Sequence, residues 1–356
     1  MDRAKLIETS VGVITLHQAD SGAYPASPNY PTYQYCWFRD GSFIARAMDV
    51  GGRFDSSSRF HHWAAAVIVA RSDEVDAAVA DPRSRPRATL DTRYQLDGSD
   101  GKEKWSNFQL DGFGTWLWAL ERHISDSKAD LPSMWSRASN LAAEYLTAHW
   151  DQPCYDLWEE LPEHIHVYTL GAIHAGLSSH QRLTGIDHTD VIDHIAALLN
   201  DRGVVEGRLI KYLGDDRLDA SLVALGVPYG VFDPAGPVMT DTVAAIEDRL
   251  TDGGVHRYPG DTFYGGGQWP LLTAWLAWHH LEVGNAQRAE ALLRWVEAQT
   301  DDQGNLPEQV STSVNDSDWV EPWIDRWGPV ANPLLWSHAM YLLAVESPPT
   351  TLRARP

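Results

Sequence analysis

The sequence predicts an all-α protein in which helices pair into hairpins and the hairpins close into a toroid. Three observations support this fold class. Apolar residues recur at helical spacing along most of the 356 residues, strand-like stretches are few and short, and no linker or change of composition divides the chain. An open α-solenoid is the alternative arrangement of helical pairs, but such folds usually show a sequence repeat, and none is visible.

Twelve amphipathic segments make up the six predicted hairpins. Asp111 opens the fourth segment, Asp241 lies in the first turn of the ninth, and Pro333 begins the last, each at a position that its residue type favours. Gly284 follows the tenth segment, where glycine commonly ends a helix. The predicted helices span residues 3–17, 40–51, 56–71, 111–126, 131–150, 166–184, 188–201, 217–226, 238–250, 269–283, 286–299 and 332–347.

Long connections separate several of these helices. The clearest strand signals, Val204-Val205 and residues 209–212, fall in or beside one of them. Connections of such length are longer than a compact helical fold needs and tend to be functional. Several tryptophans stand in them rather than on helix faces: Trp37, Trp105, Trp158, Trp319, Trp323 and Trp327. The long loops span residues 20–39, 83–110, 151–165, 202–216, 252–268 and 301–331.

The composition excludes several classes of function. The chain has 28 basic and 49 acidic side chains, a net charge of −21, and such a polyanion repels phosphate backbones and anionic lipid. No apolar run approaches the ~20 residues that span a bilayer. The first ten residues lack the apolar part of a secretory signal, and two cysteines cannot form a disulfide framework. We therefore predict a cytoplasmic protein with no nucleic-acid or membrane partner.

The chain is expected to form one domain over residues 1–348, followed by a short tail over residues 349–356. Its acidity has two explanations: a solvated surface that keeps the protein soluble, or adaptation to high salt, which would suit 33 aspartates and only five lysines. The aromatic set is also uneven, with 16 Trp and 13 Tyr against 8 Phe. Rings with a polar edge suit the faces and hydroxyls of sugars.

Three loop segments carry residue types suited to chemistry on a polar ligand. In residues 33–40, Tyr-Gln-Tyr-Cys-Trp-Phe-Arg-Asp, aromatics precede an Arg-Asp pair that could bind hydroxyl groups or form only a buried ion pair. Residues 156–160, Asp-Leu-Trp-Glu-Glu, place two carboxylates beside a tryptophan, a setting that raises a carboxyl pKa. Residues 304–309, Gly-Asn-Leu-Pro-Glu-Gln, present one carboxylate next to an amide.

Two carboxylates on separate loops, surrounded by Trp, Tyr, Arg and Asp, are typical of glycoside hydrolysis. One carboxylic acid protonates the leaving oxygen, and the other activates water or acts as a nucleophile. The sequence does not give the distance between Glu159 and Glu308, so the spacing leaves the stereochemical outcome open.

Six ordered motifs resemble the catalytic domain of glycoside hydrolase family 15, the glucoamylase and glucodextranase group, over nearly the whole chain. The motifs are Tyr33-x-Tyr35-x-Trp37-x-Arg39-Asp40, Trp105-x-x-x-Gln109-x-Asp111-Gly112, Asp156-Leu157-Trp158-Glu159-Glu160, Arg257-Tyr258-Pro259-x-Asp261 with Gly265-Gly266-Gly267-Gln268-Trp269, Glu308-Gln309, and Leu335-Trp336-Ser337-His338-Ala339.

The resemblance implies an (α/α)6 barrel with its active site in loops at one end, and an inverting hydrolase that releases β-glucose from the non-reducing end of short α-glucosides. Glu159 would be the general acid and Glu308 the general base. No cofactor or metal is implied, and the partner would be a small carbohydrate. The oligomeric state stays open. The implied substrate-binding residues are Tyr33, Trp37, Arg39, Asp40, Trp105, Gln109, Asp111, Trp158, Glu160, Arg257, Tyr258, Asp261, Trp269, Gln309 and Trp336.

Two departures from the family's motifs bear on linkage preference. Gly260 replaces an acidic residue, and residues 161–166 replace a small polar stretch, both where the second sugar is expected. The chain also begins directly with the catalytic region, without a β-sandwich or a starch-binding module. These features favour imported isomaltose or malto-oligosaccharides as substrates. A phosphorylase of a related α/α-barrel group and a catalytically silent sugar-binding protein are the alternatives.

Two other patterns carry less weight. The histidine pairs His61-His62, His164-x-His166 and His279-His280 have no carboxylate or cysteine partner at ligand spacing in the sequence, so we expect no metal site. Residues 265–267, three glycines, are expected to form a tight turn rather than a phosphate-binding loop, because no Lys-Ser/Thr pair follows them.

Overall fold

The computed structural model describes residues 2–84 and 89–347. The predicted tail, residues 349–356, lies outside the described residues, so the domain bounds stay a prediction. In the described part the helices are α1 (Arg3–His17), α2 (Phe38–Val50), α3 (Phe54–Ala70), α4 (Ser72–Ala80), α5 (Asp111–Ser127), α6 (Ser133–His149), α7 (Val167–Thr184), α8 (Thr189–Arg202), α9 (Pro237–Leu250), α10 (Pro270–Glu282), α11 (Ala286–Glu297), α12 (Val320–Trp327) and α13 (Leu335–Glu346).

Six segments form a closed inner ring. In order around the ring they are α2, α5, α7, the 3₁₀ helix Ala220–Leu225, α10 and α13; each contacts the next, and α13 contacts α2. The outer helices α1, α3, α6, α8, α9 and α11 each pack against the inner layer. Inner and outer segments alternate along the chain except for the added helices α4 and α12. The predicted closed toroid, an (α/α)6 barrel, is therefore confirmed.

Hydrophobicity decides which layer each helix joins. Eleven of the thirteen residues of α10 are buried, and the helix is apolar on all sides, as a helix in the middle of a barrel must be. In α11, which follows it, only four residues are buried, at positions 289, 292, 293 and 296. That i, i+3, i+4, i+7 spacing forms one apolar stripe, so α11 covers α10 and faces solvent with its other side.

The structure differs from the prediction at three segments. The predicted helix 217–226 is a six-residue 3₁₀ helix, Ala220–Leu225, because the chain turns at Gly226 and Pro228 before an α-helix can develop. Helices α4 and α12 were not predicted as helices. Only Val75 and Ala78 of α4 are buried, and no residue of α12 is, so neither helix shows the long apolar periodicity that identifies the others.

Short antiparallel strand pairs join the loops to one another. Strands β3 (Val204–Val205) and β4 (Arg208–Leu209) form one such pair close to the predicted strand signals. The remaining strands are β1 (Cys36–Trp37), β2 (Arg93–Tyr94), β5 (Thr251–Asp252), β6 (Gly254–His256) and β7 (Gln268–Trp269). β1 pairs with β2, and β6 with β7. Since Gln268 also bridges to Val310, loops distant in sequence are fixed side by side.

Each of the six predicted long loops leads into one segment of the inner ring. The functional motifs therefore collect at the amino-terminal ends of the inner helices, at one end of the barrel. No helix in the described ranges is both long and apolar enough to cross a membrane.

Candidate active site

A cavity of about 650 Å³ opens at this end of the barrel. It lies in the range of roughly 300–1,000 Å³ that is usual for small-molecule sites. The predicted site residues that line it are Tyr33, Trp37, Arg39, Asp40, Trp105, Trp158, Glu159, Glu160, Arg257, Trp269, Glu308 and Trp336. Five further predicted residues lie outside this lining: Gln109, Asp111, Tyr258 and Asp261 contact it through hydrogen bonds, and Gln309 bonds to Gly267.

Glu159 stands in a strained turn between α6 and α7. Its φ of 68° lies in the left-handed region, which is unfavourable for a residue with a side chain and is often found at functional sites. Oε1 of Glu159 accepts hydrogen bonds from Nε1 of Trp37 at 2.6 Å and from Nε2 of Gln109 at 3.2 Å. The turn thus holds the carboxyl group in a defined position at the wall of the cavity.

A buried ion cluster supports this turn from below. Oδ1 of Asp156 accepts the backbone N–H groups of Trp158 and Glu160, both at 2.9 Å. Its other oxygen lies 3.1 Å from Nζ of Lys211, which also contacts Asp219 at 2.6 Å. Because Asp219 in turn accepts the indole N–H of Trp158 at 2.9 Å, one buried lysine ties together the groups that shape the turn.

Glu308 lies in the loop before α13 and lines the same cavity. Its side chain is 3% exposed. Burial raises the pKa of this carboxyl to about 8, although the hydroxyl of Tyr33, which donates to Oε1 at 2.9 Å, acts to lower it. Oε2 is buried and makes no hydrogen bond with any other described residue. One oxygen is therefore oriented by Tyr33, and the other is left without a protein partner.

Arg39 and Asp40 form the floor of the cavity at the start of α2. Nη1 of Arg39 lies 3.2 Å from Asp111 and donates to Gln109 at 3.0 Å, so the guanidinium is held from behind. Burial raises the pKa of Asp40 to about 6, with Arg39 opposing the shift. Nε of Arg39 and Oδ2 of Asp40 are buried and lie 3.4 Å apart as an ion pair, without a hydrogen bond in the described ranges.

Arg257 is held in the same way on the loop before α10. It binds Asp261 through two nitrogens, at 2.7 and 2.5 Å, and its guanidinium lies 3.6 Å from Oε1 of Glu160. Tyr258 donates to the other oxygen of Glu160 at 2.5 Å. Burial raises the pKa of Glu160 despite Arg257. Asp261 and Tyr258 thus position charged groups without lining the cavity themselves.

The three glycines of residues 265–267 form a tight turn, as predicted from the sequence. A Cβ at Gly266 would lie 2.2 Å from the carbonyl oxygen of Asp261, and φ there is +67°. The backbone N–H of Gly267 donates to Oε1 of Gln309 at 2.8 Å. Gln309 therefore braces the turn that leads to Trp269.

Unpaired polar atoms are concentrated on the residues around the cavity. Besides Glu308, four of its tryptophans have an indole N–H that is buried and has no partner among residues 2–84 and 89–347: Trp105, Trp269, Trp323 and Trp336. Buried polar groups are nearly always hydrogen-bonded, so a local excess of unpaired ones needs an explanation. A ligand with many hydroxyl groups provides one.

Several residues that line the cavity were not predicted from the sequence to belong to the site. Tyr30 lines it and exchanges a hydrogen bond with the hydroxyl of Tyr264 at 2.9 Å. Trp323, Arg326 and Trp327 of α12 line it as well. The two tryptophans had been noted as loop residues, whereas Tyr30 and Arg326 have no signal that separates them from surface residues.

The two departures from the family's motifs do not contact the cavity. Neither Gly260 nor residues 161–166 belong to its lining. Gly260 is exposed and has a φ of +81° with free space around it. Glycine therefore avoids backbone strain at this position and does not shape the site.

Two carboxyl groups in one cavity, with tryptophans around them at the end of an (α/α)6 barrel, define a glycoside hydrolase. Residues 4–294 match the model of the glycosyl hydrolases family 15, and the chain belongs to that family. It is a glycoside hydrolase of the α-glucosidase and glucoamylase type, as predicted.

Known proteins extend the comparison. The chain is 42% identical over 355 residues to an isomaltose glucohydrolase from Kribbella flavida, covering 96% of this chain and 92% of the relative. A solved structure of a glycosidase in complex with glucose is 41% identical, with a TM-score of 0.92 over 97% of this chain and 98% of that one. A bacterial glucoamylase complexed with acarbose, 18% identical, shares the fold with a TM-score of 0.74, over 96% of this chain and 55% of that one.

Proposed function

We propose that this hydrolase removes glucose from the non-reducing end of short α-glucosides, with isomaltose the preferred substrate, and releases it as β-glucose. The observation that carries the proposal is that Glu159, Glu308 and the Arg39–Asp40 ion pair line one cavity together with tryptophans whose indole N–H groups are unpaired. The relative named for isomaltose supports the linkage. Malto-oligosaccharides are the second candidate.

In the proposed reaction Glu159 donates its proton to the glycosidic oxygen as the bond to C1 of the terminal glucose breaks. Glu308 takes a proton from a water molecule, which attacks C1 on the opposite face, so the anomeric configuration inverts. Arg39 and Asp40 bind hydroxyl groups of the terminal glucose, and Glu160 with Arg257 faces the next sugar. The indole rings provide flat surfaces for both sugars.

A panel of disaccharides tests this function. Isomaltose, maltose, trehalose, kojibiose and nigerose are incubated with the protein, and the anomer of released glucose is followed by NMR. β-Glucose from isomaltose, formed faster than from the other disaccharides, is expected. α-Glucose would overturn inversion, and glucose 1-phosphate formed only with added phosphate would identify a phosphorylase. If none of the five disaccharides gives a product, the result would support the alternative of a catalytically silent sugar-binding protein.

Asp40→Ala is expected to lower kcat/KM by about 10- to 100-fold, mainly through a higher KM. The reason is the loss of charge-assisted hydrogen bonds to the terminal glucose, each worth roughly 1.5–3 kcal/mol. Initial rates over a range of isomaltose concentrations give the two constants. Asp100→Ala is the control, because Asp100 is an exposed partner of Arg71. An unchanged kcat/KM in Asp40→Ala would contradict the role of this carboxylate in substrate binding.

Tyr33→Phe is expected to move the acidic limb of the pH profile of kcat/KM to higher pH. The Tyr33 hydroxyl stabilises the ionised form of Glu308; without it the pKa of Glu308 rises, and a general base acts only when ionised. Profiles from pH 4 to 9 measure the shift. Tyr35→Phe serves as control, since Tyr35 donates to Glu103 instead. Superimposable profiles would rule out control of Glu308 by Tyr33.

A further inference from the structure

A second group of titratable side chains lies at the other end of the barrel. Asp49 of α2, His61 of α3 and His123 of α5 are all buried, and each offers one ligand atom within 4.8 Å of the other two. Asp49 follows Asp40 by nine residues on the same helix. At 1.5 Å per residue it lies about 14 Å further along the helix axis, away from the cavity.

His61 has no described hydrogen-bond partner. Its side chain is 0% exposed, and neither ring nitrogen is bonded to any group in the described ranges. A neutral imidazole has one ring nitrogen with a free lone pair, which is the atom that binds a metal ion. A fully buried imidazole with both nitrogens unpaired is costly to keep unless something binds it.

Asp49 is a buried carboxylate without a permanent positive partner. Oδ1 lies 2.8 Å from Nδ1 of His123 and also accepts the hydroxyl of Ser57. Oδ2 is buried and unpaired, and no lysine or arginine of residues 2–84 and 89–347 forms an ion pair with it. Removing a carboxylate from water without a compensating charge is strongly unfavourable.

We propose that Asp49, His61 and His123 form a binding site for a divalent transition-metal ion, and that zinc is the ion they suit best. Two imidazoles and a carboxylate are zinc ligands, whereas calcium and magnesium prefer oxygen alone. The ion would satisfy His61 and neutralise Asp49 together. The hydroxyl of Ser57 or a water molecule would complete a tetrahedral set.

The neighbourhood of the three ligands fits such a site. The hydroxyl of Ser58 lies 3.0 Å from Nε2 of His123 and fixes the orientation of that ring, as groups behind metal ligands commonly do. Ligand atoms around zinc stand about 3.3 Å apart, so the side chains close around the ion by small rotations. A metal here would join two inner helices and one outer helix, α2, α5 and α3, and would serve stability rather than catalysis.

Sequence spacing gave no sign of this site. The pair His61-His62 lies on one helix and points to different faces, so His62 is exposed while His61 is buried. The other two ligands come from α2 and α5, and only the barrel brings them to His61. The expectation of no metal site therefore rested on local spacing alone.

Metal titration of the full chain tests the proposal. The protein is stripped with a chelator, dialysed and loaded with Zn²⁺ or Co²⁺, and bound metal is counted by mass spectrometry. We expect one tightly bound ion per chain, a visible d–d spectrum typical of tetrahedral Co²⁺, and a rise in Tm of at least about 2 °C with Zn²⁺. His61→Ala is expected to lose all three responses, whereas His62→Ala, which removes the exposed neighbour, keeps them.

Two results would overturn the site. One is a wild-type protein whose Tm does not respond to Zn²⁺ and which shows no tetrahedral Co²⁺ spectrum. The other is equal binding by His61→Ala and the wild type. If His61→Ala does not fold, Asp49→Asn, which keeps the size of the side chain, takes its place, and the wild-type measurements decide the outcome by themselves. Activity on isomaltose is not the readout, since the site is remote from Glu159 and Glu308.

Discussion

Glu159→Gln is expected to lower kcat on isomaltose by about 10²- to 10⁴-fold, the usual contribution of a positioned general acid. A glutamine at this position keeps an oxygen that can accept hydrogen bonds from Trp37 and Gln109, so the turn and its surroundings are preserved. It cannot give a proton to the glycosidic oxygen. The loss should therefore fall on kcat, with little change in KM.

The leaving group separates an acid role from a structural one. Hydrolysis of α-glucosyl fluoride releases fluoride, a leaving group that needs little protonation. Glu159→Gln should therefore keep a much larger share of wild-type activity on this substrate than on isomaltose. Glu163→Gln, in the same loop, is the matched control, because the Glu163 side chain is 61% exposed. Equal losses on both substrates would point to a damaged site, and full activity on isomaltose would exclude Glu159 as the acid.

The sequence predicted which residues gather at the site better than it predicted what each one does. Twelve of the seventeen predicted residues line the cavity. Asp111, Asp261 and Gln309 instead hold Arg39, Arg257 and the glycine turn from behind. Both kinds of residue occur in the same motifs, so their difference appears only when side chains are placed in three dimensions.

The support of Glu159 shows a second limit. Lys211 reaches Asp156 and Asp219 from a separate loop, and nothing near it in the sequence marks it as part of the acid turn. The left-handed φ of Glu159 has no sequence signal either, since glycine or asparagine would be the residue expected there. Periodicity, by contrast, located eleven α-helices, because their apolar residues recur at helical spacing.

Burial governs the charges at the floor of the cavity. It raises the pKa of Asp40 to about 6 and that of Glu308 to about 8, against the opposing effects of Arg39 and Tyr33. A bound sugar that donates hydroxyl groups to these oxygens would favour their ionised forms. In the unliganded site the ionised forms of these two carboxyl groups are therefore unfavourable, and a bound substrate would stabilise them.

Glu308→Gln is expected to impair hydrolysis strongly and at the same time to stabilise the protein at alkaline pH. Activity falls by about 10²- to 10⁴-fold because no group remains to take the proton from water. Stability rises because the folded wild type must ionise a buried carboxyl. Its pKa is about 8 when folded and near its ordinary value when unfolded, so unfolding between these pH values releases a proton and wild-type stability declines as pH rises.

The stability difference between Glu308→Gln and the wild type should thus be small at pH 5, widen up to pH 8 and stay constant above it. Its full size is at most about 5 kcal/mol, from about 1.4 kcal/mol for each pKa unit. Urea unfolding at pH 5, 7 and 9 measures it. Glu247→Gln is the control of opposite sign, because a hydrogen bond with His280 and another with Arg288 hold the pKa of Glu247 at about 2, so its removal should destabilise. A Glu308→Gln protein that is inactive yet no more stable than the wild type at pH 9 would contradict the inference that Glu308, the proposed general base, is an unfavourable buried carboxylate in the folded protein.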